Sequence, residues 1–495
     1  MRPFNIDIHV HPGLKPYGTS FSLSPQRVNN PDPSKKNSIW YKDHPNDLER
    51  LVERSIGLVR FTQSDFQSLL SGNVGCICAS LYSIERGLVR LKTGSGWFTD
   101  TLTNFISGMG KQRINFLQNN KDYFSDLEGE YEFYRQLNGR IIPIHGIPCK
   151  YVLVDSYEQM QTTLENHNPA NQFKLIIVII TIEGMHNLDT NTDNPVGDEI
   201  QFLANVDKLK RWEFKPLFVT FAHHFFNKLC GHAESLADKF QDGLTRQEEG
   251  MDTEFTPLGW KVLEKLLDNQ TGRRIYIDIK HMSYKSRQQY FNYLLNNHHL
   301  EFTNRQIPIV ISHGACNGFR NAQDKTYSPG LEETAKHMYD KDINFYDEEI
   351  LTLAKSGGII GLQLDERRIA NAKYKIGSRK IFASKFKRQL SNSRMVWNNI
   401  QHIAMLLDQN ELPAWNNMTI GSDYDGLIDS VNLFWSSQDL QDLAKCLTIK
   451  AGEWLSGGNY AFKLADNRLS PEEIIDKLFY RNAMDFFRKY FTTPI

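Results

Sequence analysis

The chain has 495 residues, of which 40% are hydrophobic and 23% charged, and its 57 Lys and Arg against 58 Asp and Glu give a formal charge of −1. A chain of that length encloses a large core, and its composition excludes a disordered polymer. The balanced charge argues against a global electrostatic grip on nucleic acid.

Eight β-branched runs read as buried parallel strands in chain order: FNIDIHV (4–10), VGCICASLY (74–82), KLIIVIITIE (174–183), PLFVTFAHH (216–224), RIYIDIKH (274–281), IPIVISH (307–313), GGIIGLQL (357–364) and MTIGSD (418–423). Their nearly continuous apolar character is what a sheet covered on both faces requires. Helix-like stretches lie between them. One opens on Thr256-Pro257 and another on Asp347, which suit a cap and a first turn. Eight strands alternating with helices predict a single (β/α)8 TIM barrel over 1–495, with insertions near 12–50, 96–150, 231–255, 320–345 and 366–397. IIPIH (141–145) is expected in an accessory hairpin. Cys76 and Cys78 are expected as small buried residues on one face of the second strand. The six cysteines are too sparse for a secreted disulfide framework, and none is spaced as CxxC. No stretch of 18 apolar residues is present, and MRPFNIDIHVHPG holds no long apolar leader, so the expected location is cytoplasmic.

The strand ends carry the chemistry. His9 and His11 form an HxH on the first strand, with both side chains on one face. Glu183 closes the third strand, His223 and His224 the fourth, His281 the fifth, His313 the sixth and Asp423 the eighth. A single one of these is an ordinary polar strand terminus. Six strands ending this way point to catalysis, because barrels place active sites at the C-terminal ends of their strands. Imidazoles bind divalent transition metals as neutral donors, and a carboxylate can bridge two ions that acidify a water. A further carboxylate such as Asp423 can move the proton. The set predicts metal-assisted hydrolysis of an amide-like bond.

In these motifs the chain resembles the membrane (renal) dipeptidase family of the amidohydrolase superfamily. IDIHVHPG, TIEGMHNLD, FVTFAHHFFN, FTPLGWKVLEKLLDNQTGRRIYIDIKHMS, IPIVISHGACNGFRN and MTIGSDYDG are similar to that family's blocks in order. The resemblance implies a binuclear metallohydrolase, with zinc or alternatively manganese, that cleaves dipeptides or small N-acyl amino acids by attack of a metal-bridging hydroxide. His9 and His11 would hold the first ion, His281 and His313 the second, and Glu183 would bridge them. His223 would contact the polarised carbonyl, Asp423 would join the metal ligands and transfer the proton, and Arg320 would bind the substrate's terminal carboxylate. A small-molecule substrate and a homodimer are implied; no membrane span and no nucleic-acid partner are expected.

Two departures matter. The family typically has HxD where this chain has His11, which makes the site less negative by one charge. Asp365 stands where the family often has an aromatic, and ten Lys or Arg follow against Glu366 alone before Met395. That basic segment is either a solvated face or a lid over an anionic substrate. A different anionic amide, ester or lactam is therefore the second functional expectation, and a degenerate barrel serving as a binding or scaffold protein the third. His224 and His232 are expected in surface or supporting positions, and Asp425 in shaping the turn after Asp423.

Overall fold

A computed structural model describes residues 2–23, 26–43, 61–89, 108–167, 173–236, 247–298, 306–378, 383–458 and 460–492. Ten strands lie within them: β1 (Asn5–Val10), β2 (Val74–Leu81), β3 (Ile142–Ile144), β4 (Ile147–Val154), β5 (Lys174–Glu183), β6 (Phe218–Thr220), β7 (Tyr276–Asp278), β8 (Val310–Gly314), β9 (Ile359–Leu362) and β10 (Met418–Ile420). Eight of them run parallel in the order β1-β2-β5-β6-β7-β8-β9-β10. The ring meets itself between β1 and the residues after β10. There Val10 and Tyr424 form a parallel bridge, the His11 N–H donates to the Tyr424 carbonyl at 3.0 Å, and the Asp423 N–H donates to the His9 carbonyl at 3.0 Å. This is the TIM-barrel architecture the apolar runs predict.

Every residue of β5 after Lys174 is buried, as expected of a strand covered by helices outside and by barrel side chains inside. The interior is tight. A Cβ built on Gly361 or Gly421 would stand 1.9 or 2.0 Å from the Ser312 carbonyl oxygen, so only glycine fits there. The outer helices begin as their sequences dictate. Thr256 Oγ1 accepts the Gly259 N–H at 2.9 Å above Pro257, whose missing N–H costs nothing in a first turn. Glu349 accepts the Tyr346 N–H at 3.0 Å at the head of Asp347–Lys355.

Two strands are shorter than the apolar runs suggest. The segments 216–224 and 274–281 pair only over Phe218–Thr220 and Tyr276–Asp278, so His223, His224 and His281 lie on loops beyond the strand ends. The 141–145 run does form a hairpin, β3 with β4, but β4 also pairs in parallel with β5 and widens the sheet beside the barrel. Of the expected insertions, 320–345 lies wholly among the described residues. The others fall partly outside them, at 24–25 and 44–50, 96–107, 237–246 and 379–382. All six cysteines are buried and free. Among the described residues no helix is long and apolar enough to cross a membrane.

Candidate metal centre at the barrel mouth

Five imidazoles converge on one carboxylate. The Glu183 oxygens lie 3.1 Å from His11 Nε2, 3.5 Å from His9 Nε2, and 3.6 Å from the Nε2 atoms of His223, His281 and His313. Asp423 approaches from the seam, 3.6 Å from His11 Nε2 and 3.8 Å from His9 Nε2. His281 and Asp423 are held at φ of +67° and +64°, a left-handed conformation that non-glycine residues rarely adopt. Strain of this kind collects where a site over-determines the backbone.

The cluster fits a divalent metal. His9 and His11 bring their Nε2 atoms within 3.2 Å of each other. Two imidazole lone pairs at that range repel unless a proton or a cation lies between them. His9, His11 and Glu183 can hold an ion as one set, and Glu183, His281 and His313 as another, with all ligand atoms of each set within 4.8 Å. Glu183 belongs to both sets, as a bridging carboxylate would. The nitrogen and oxygen donors suit zinc, manganese and neighbouring first-row metals. His313 is oriented from behind: its Nδ1 meets the Ser312 hydroxyl at 2.9 Å, and that hydroxyl donates to Asp278 at 2.6 Å. A hydrogen bond of this kind fixes the tautomer and leaves Nε2 free to ligate.

The charges follow from burial and proximity. Burial alone would raise the Glu183 carboxyl, but His223, His9 and His11 hold it well below the usual carboxylate range. Burial would lower His11, yet in the metal-free site Glu183 and Asp423 push it up to about 10, a proton that an ion bound by His11 would displace. Burial and the nearby His223 take His281 down to about 3, and burial with His9 takes His313 well below its ordinary value. Those two rings are therefore neutral donors, the form that binds metal. Burial, reinforced by Glu183, raises the Asp423 carboxyl.

Arg320 stands apart. Its half-exposed guanidinium pairs with Asp324 at 3.1 Å, and its contacts among the described residues include none of the clustered histidines. The expected position of Asp365 is taken up locally, where it caps the following turn and accepts a bidentate Arg367 at 3.0 and 2.7 Å. Arg368 is different. It donates to the Ser235 carbonyl and makes no ion pair among the described residues, and its charge lowers the basicity of Lys280 and His224. Lys280 is buried and lowered to about 7, by burial first and Arg368 second. Gln363 links it to the site, accepting from Lys280 Nζ and donating to Asp423 Oδ2, both at 3.4 Å.

His224 lies beside the cluster, its ring centroid 3.9 Å from that of His223 and its Nδ1 2.7 Å from the Ser235 hydroxyl. His232 is buried away from the centre against backbone carbonyls. Glu85, four residues past β2, is a site group that no sequence motif marks. It is buried and accepts from His223 Nδ1 at 2.6 Å. Burial would raise its pKa, but His223 and His186 draw it down to about 2.

Fold and cluster together define a (β/α)8 barrel with a histidine-rich, metal-capable centre at the C-terminal ends of its strands. No family model and no curated protein matches the chain. Solved structures do. A probable dipeptidase, PvdM, from Pseudomonas aeruginosa superposes with a TM-score of 0.50 at 13% identity, covering 99% of this chain and 95% of that one. A metallopeptidase of family M19, dipeptidase AC, gives a TM-score of 0.48 at 11% identity over 99% of both chains. A Rhodobacter sphaeroides metallopeptidase, liganded with a phosphinate mimic of L-Ala-D-Ala, gives 0.45 at 12% identity over 90% of this chain and 95% of its own. At these identities the likeness concerns the fold.

Proposed function

We propose that the protein is a metal-dependent hydrolase that cleaves the amide bond of dipeptides or related small N-acyl amino acids. The observation that carries this reading is the convergence of five imidazole Nε2 atoms within 3.6 Å of the Glu183 carboxylate at the barrel mouth. The motif resemblance supports it, as does the dipeptidase name borne by the Pseudomonas aeruginosa protein of like fold. His9, His11, His281, His313 and Glu183 would hold the divalent metal. Bound there, zinc or manganese supplies an acidified water and a polarised carbonyl. His223 presents Nε2 to the same centre, where, with the ring protonated on both nitrogens, the Nε2–H donates to the carbonyl oxygen as charge develops. Asp423, raised by burial and touched by Gln363, takes the water proton and returns it to the leaving amine.

The test is to assay protein reconstituted with zinc or manganese on a panel of L,L and L,D dipeptides, following released amine. Metal-dependent cleavage that Asp423→Asn abolishes is the expected result. Bound metal without cleavage rejects simple dipeptides. The second reading, a more strongly anionic amide, ester or lactam, is favoured by Arg368, which makes no close ion pair among the described residues although the charges of Asp365 and Asp423 act on it.

A further inference from the structure

Among the clustered histidines, His223 alone has a carboxylate on its far nitrogen. The Nδ1 atoms of His9, His11 and His281 are buried without a hydrogen-bond partner among the described residues, and that of His313 meets a hydroxyl. His223 Nδ1 instead donates to Glu85 Oε2 at 2.6 Å. The other Glu85 oxygen accepts the Phe225 N–H at 3.0 Å, and the Tyr82 hydroxyl donates to Oε2 at 3.2 Å. Glu85 therefore grips the His223–Phe225 loop twice, once on the ring and once on the backbone two residues later. It enters from the loop after β2, whereas His223 enters from the loop after β6. No Lys or Arg pairs with this buried carboxylate among the described residues; the His186 ring at 3.9 Å is its other close basic neighbour.

An imidazole has two nitrogens, and only a partner on one of them decides which carries the proton and where the other points. A carboxylate acceptor at 2.6 Å is a charge-assisted bond, about twice as strong as a neutral one. With the Nδ1 proton held by Glu85, the ring is aimed so that Nε2 lies 3.6 Å from Glu183 Oε1, at the centre of the cluster.

We propose that Glu85 is the positioning residue for His223: it holds the Nδ1 proton and locks the ring plane, so that an Nε2–H on the same ring points to the reacting carbonyl. The role rests on the hydrolase reading for its purpose, but its geometry can be tested without turnover. A residue that merely braced the loop would stabilise Phe225 and leave the ring free to change tautomer.

The experiment uses the full chain labelled with ¹⁵N-histidine, with and without added zinc, and assigns His223 by its loss in His223→Asn. Imidazole ¹⁵N–¹H correlation should show the His223 proton on Nδ1 in the parent protein. Glu85→Ala should lose that fixed Nδ1 proton while circular dichroism stays native. Glu85→Gln, which keeps one acceptor oxygen, should retain it in part. If dipeptides are cleaved, Glu85→Ala should lower kcat about 10- to 100-fold, the usual effect of losing such an orienting partner, with KM changing less than about threefold. Glu85→Gln should recover part of that loss. An unchanged His223 tautomer in folded Glu85→Ala overturns the proposal, whatever the assay shows. A shifted tautomer in a protein that cleaves no dipeptide leaves the positioning role standing and rejects the peptidase reading. If Glu85→Ala does not fold, the Glu85→Gln spectrum decides: a His223 resonance identical to the parent's counts against the role.

Discussion

Lys15 and Asp425, 410 residues apart in the chain, meet at 2.7 Å inside the barrel mouth. Both are buried, and Lys15 Nζ also donates to the Phe61 carbonyl at 2.6 Å. Asp425 further accepts the Ser64 N–H and hydroxyl, each at 2.7 Å, and the Gln63 N–H at 3.1 Å. One carboxylate thus ties the loop after β10, which carries Asp423, to the 61–65 segment and to the first helix. Removing one partner of a buried pair strands the other charge. We expect Asp425→Ala to lose about 3–5 kcal/mol of stability by denaturant titration. A loss below about 1 kcal/mol would mean that the loop is held by other contacts.

A second prediction concerns pH. Asp65 is buried and caps the helix Phe66–Ser71, accepting the Ser68 N–H at 2.9 Å and the Ser68 hydroxyl at 2.7 Å. Burial outweighs these bonds and pushes its carboxyl up to about 6 from an ordinary 3.8. Between those two values the unfolded chain binds fewer protons at Asp65 than the folded one, so this residue's contribution to stability falls as pH rises through that window and is flat outside it. Asp65→Asn keeps a capping oxygen and has no proton to lose. Its stability relative to the parent should therefore rise by up to about 3 kcal/mol between pH 4 and pH 6.5. Thermal melts of the two proteins across that range measure it; parallel curves would show that Asp65 does not titrate there.

On the proposed reading His11 completes the first metal set. With His11→Ala, only His9 and Glu183 remain of that set. We expect elemental analysis after dialysis to find about half the bound zinc of the parent, because N/O sites of this kind lose affinity steeply with each ligand removed. His11→Asp, which restores an oxygen donor, should recover the lost ion. Unchanged metal content in His11→Ala would remove His11 from the ligand set.

Arg368 should govern affinity rather than rate. A guanidinium offers a planar fork to a carboxylate or phosphate, and Lys reproduces the charge without that geometry. Arg368→Met is expected to raise KM about tenfold or more for an anionic substrate with little change in kcat, the signature of lost uniform binding. Arg320→Met, which breaks only the surface pair with Asp324, should change KM less than twofold. The reverse ranking would return the anion contact to Arg320.

The barrel was legible because strands buried on both faces read as apolar runs, and β1, β2 and β5 begin and end within a residue of those runs. The mouth was less so. His223, His224 and His281 sit in loops beyond three-residue strands, and the left-handed turns at His281 and Asp423 have no counterpart in a period-two pattern. Glu85 belongs to no motif. The available signal was its place just past a strand's C-terminal end, the feature that singles out Asp423. Arg320 and Arg368 differ in which loop folds inward, and that depends on long-range packing that spacing along the chain does not encode. β4 escaped notice because its pairing with β5 lies outside the barrel ring.

The Val10–Tyr424 seam has a consequence for the order of events in synthesis. The chain makes His9 and His11 long before Asp423, yet they share one cavity. All five clustered histidines are therefore on the emerging polypeptide before its closing strand exists. Because domains fold as units while they are made, the barrel mouth with Asp423 in place can form only after β10 has left the ribosome. On the reading proposed above, a metal would then meet a finished mouth only after the closing strand has brought Asp423 to the histidines.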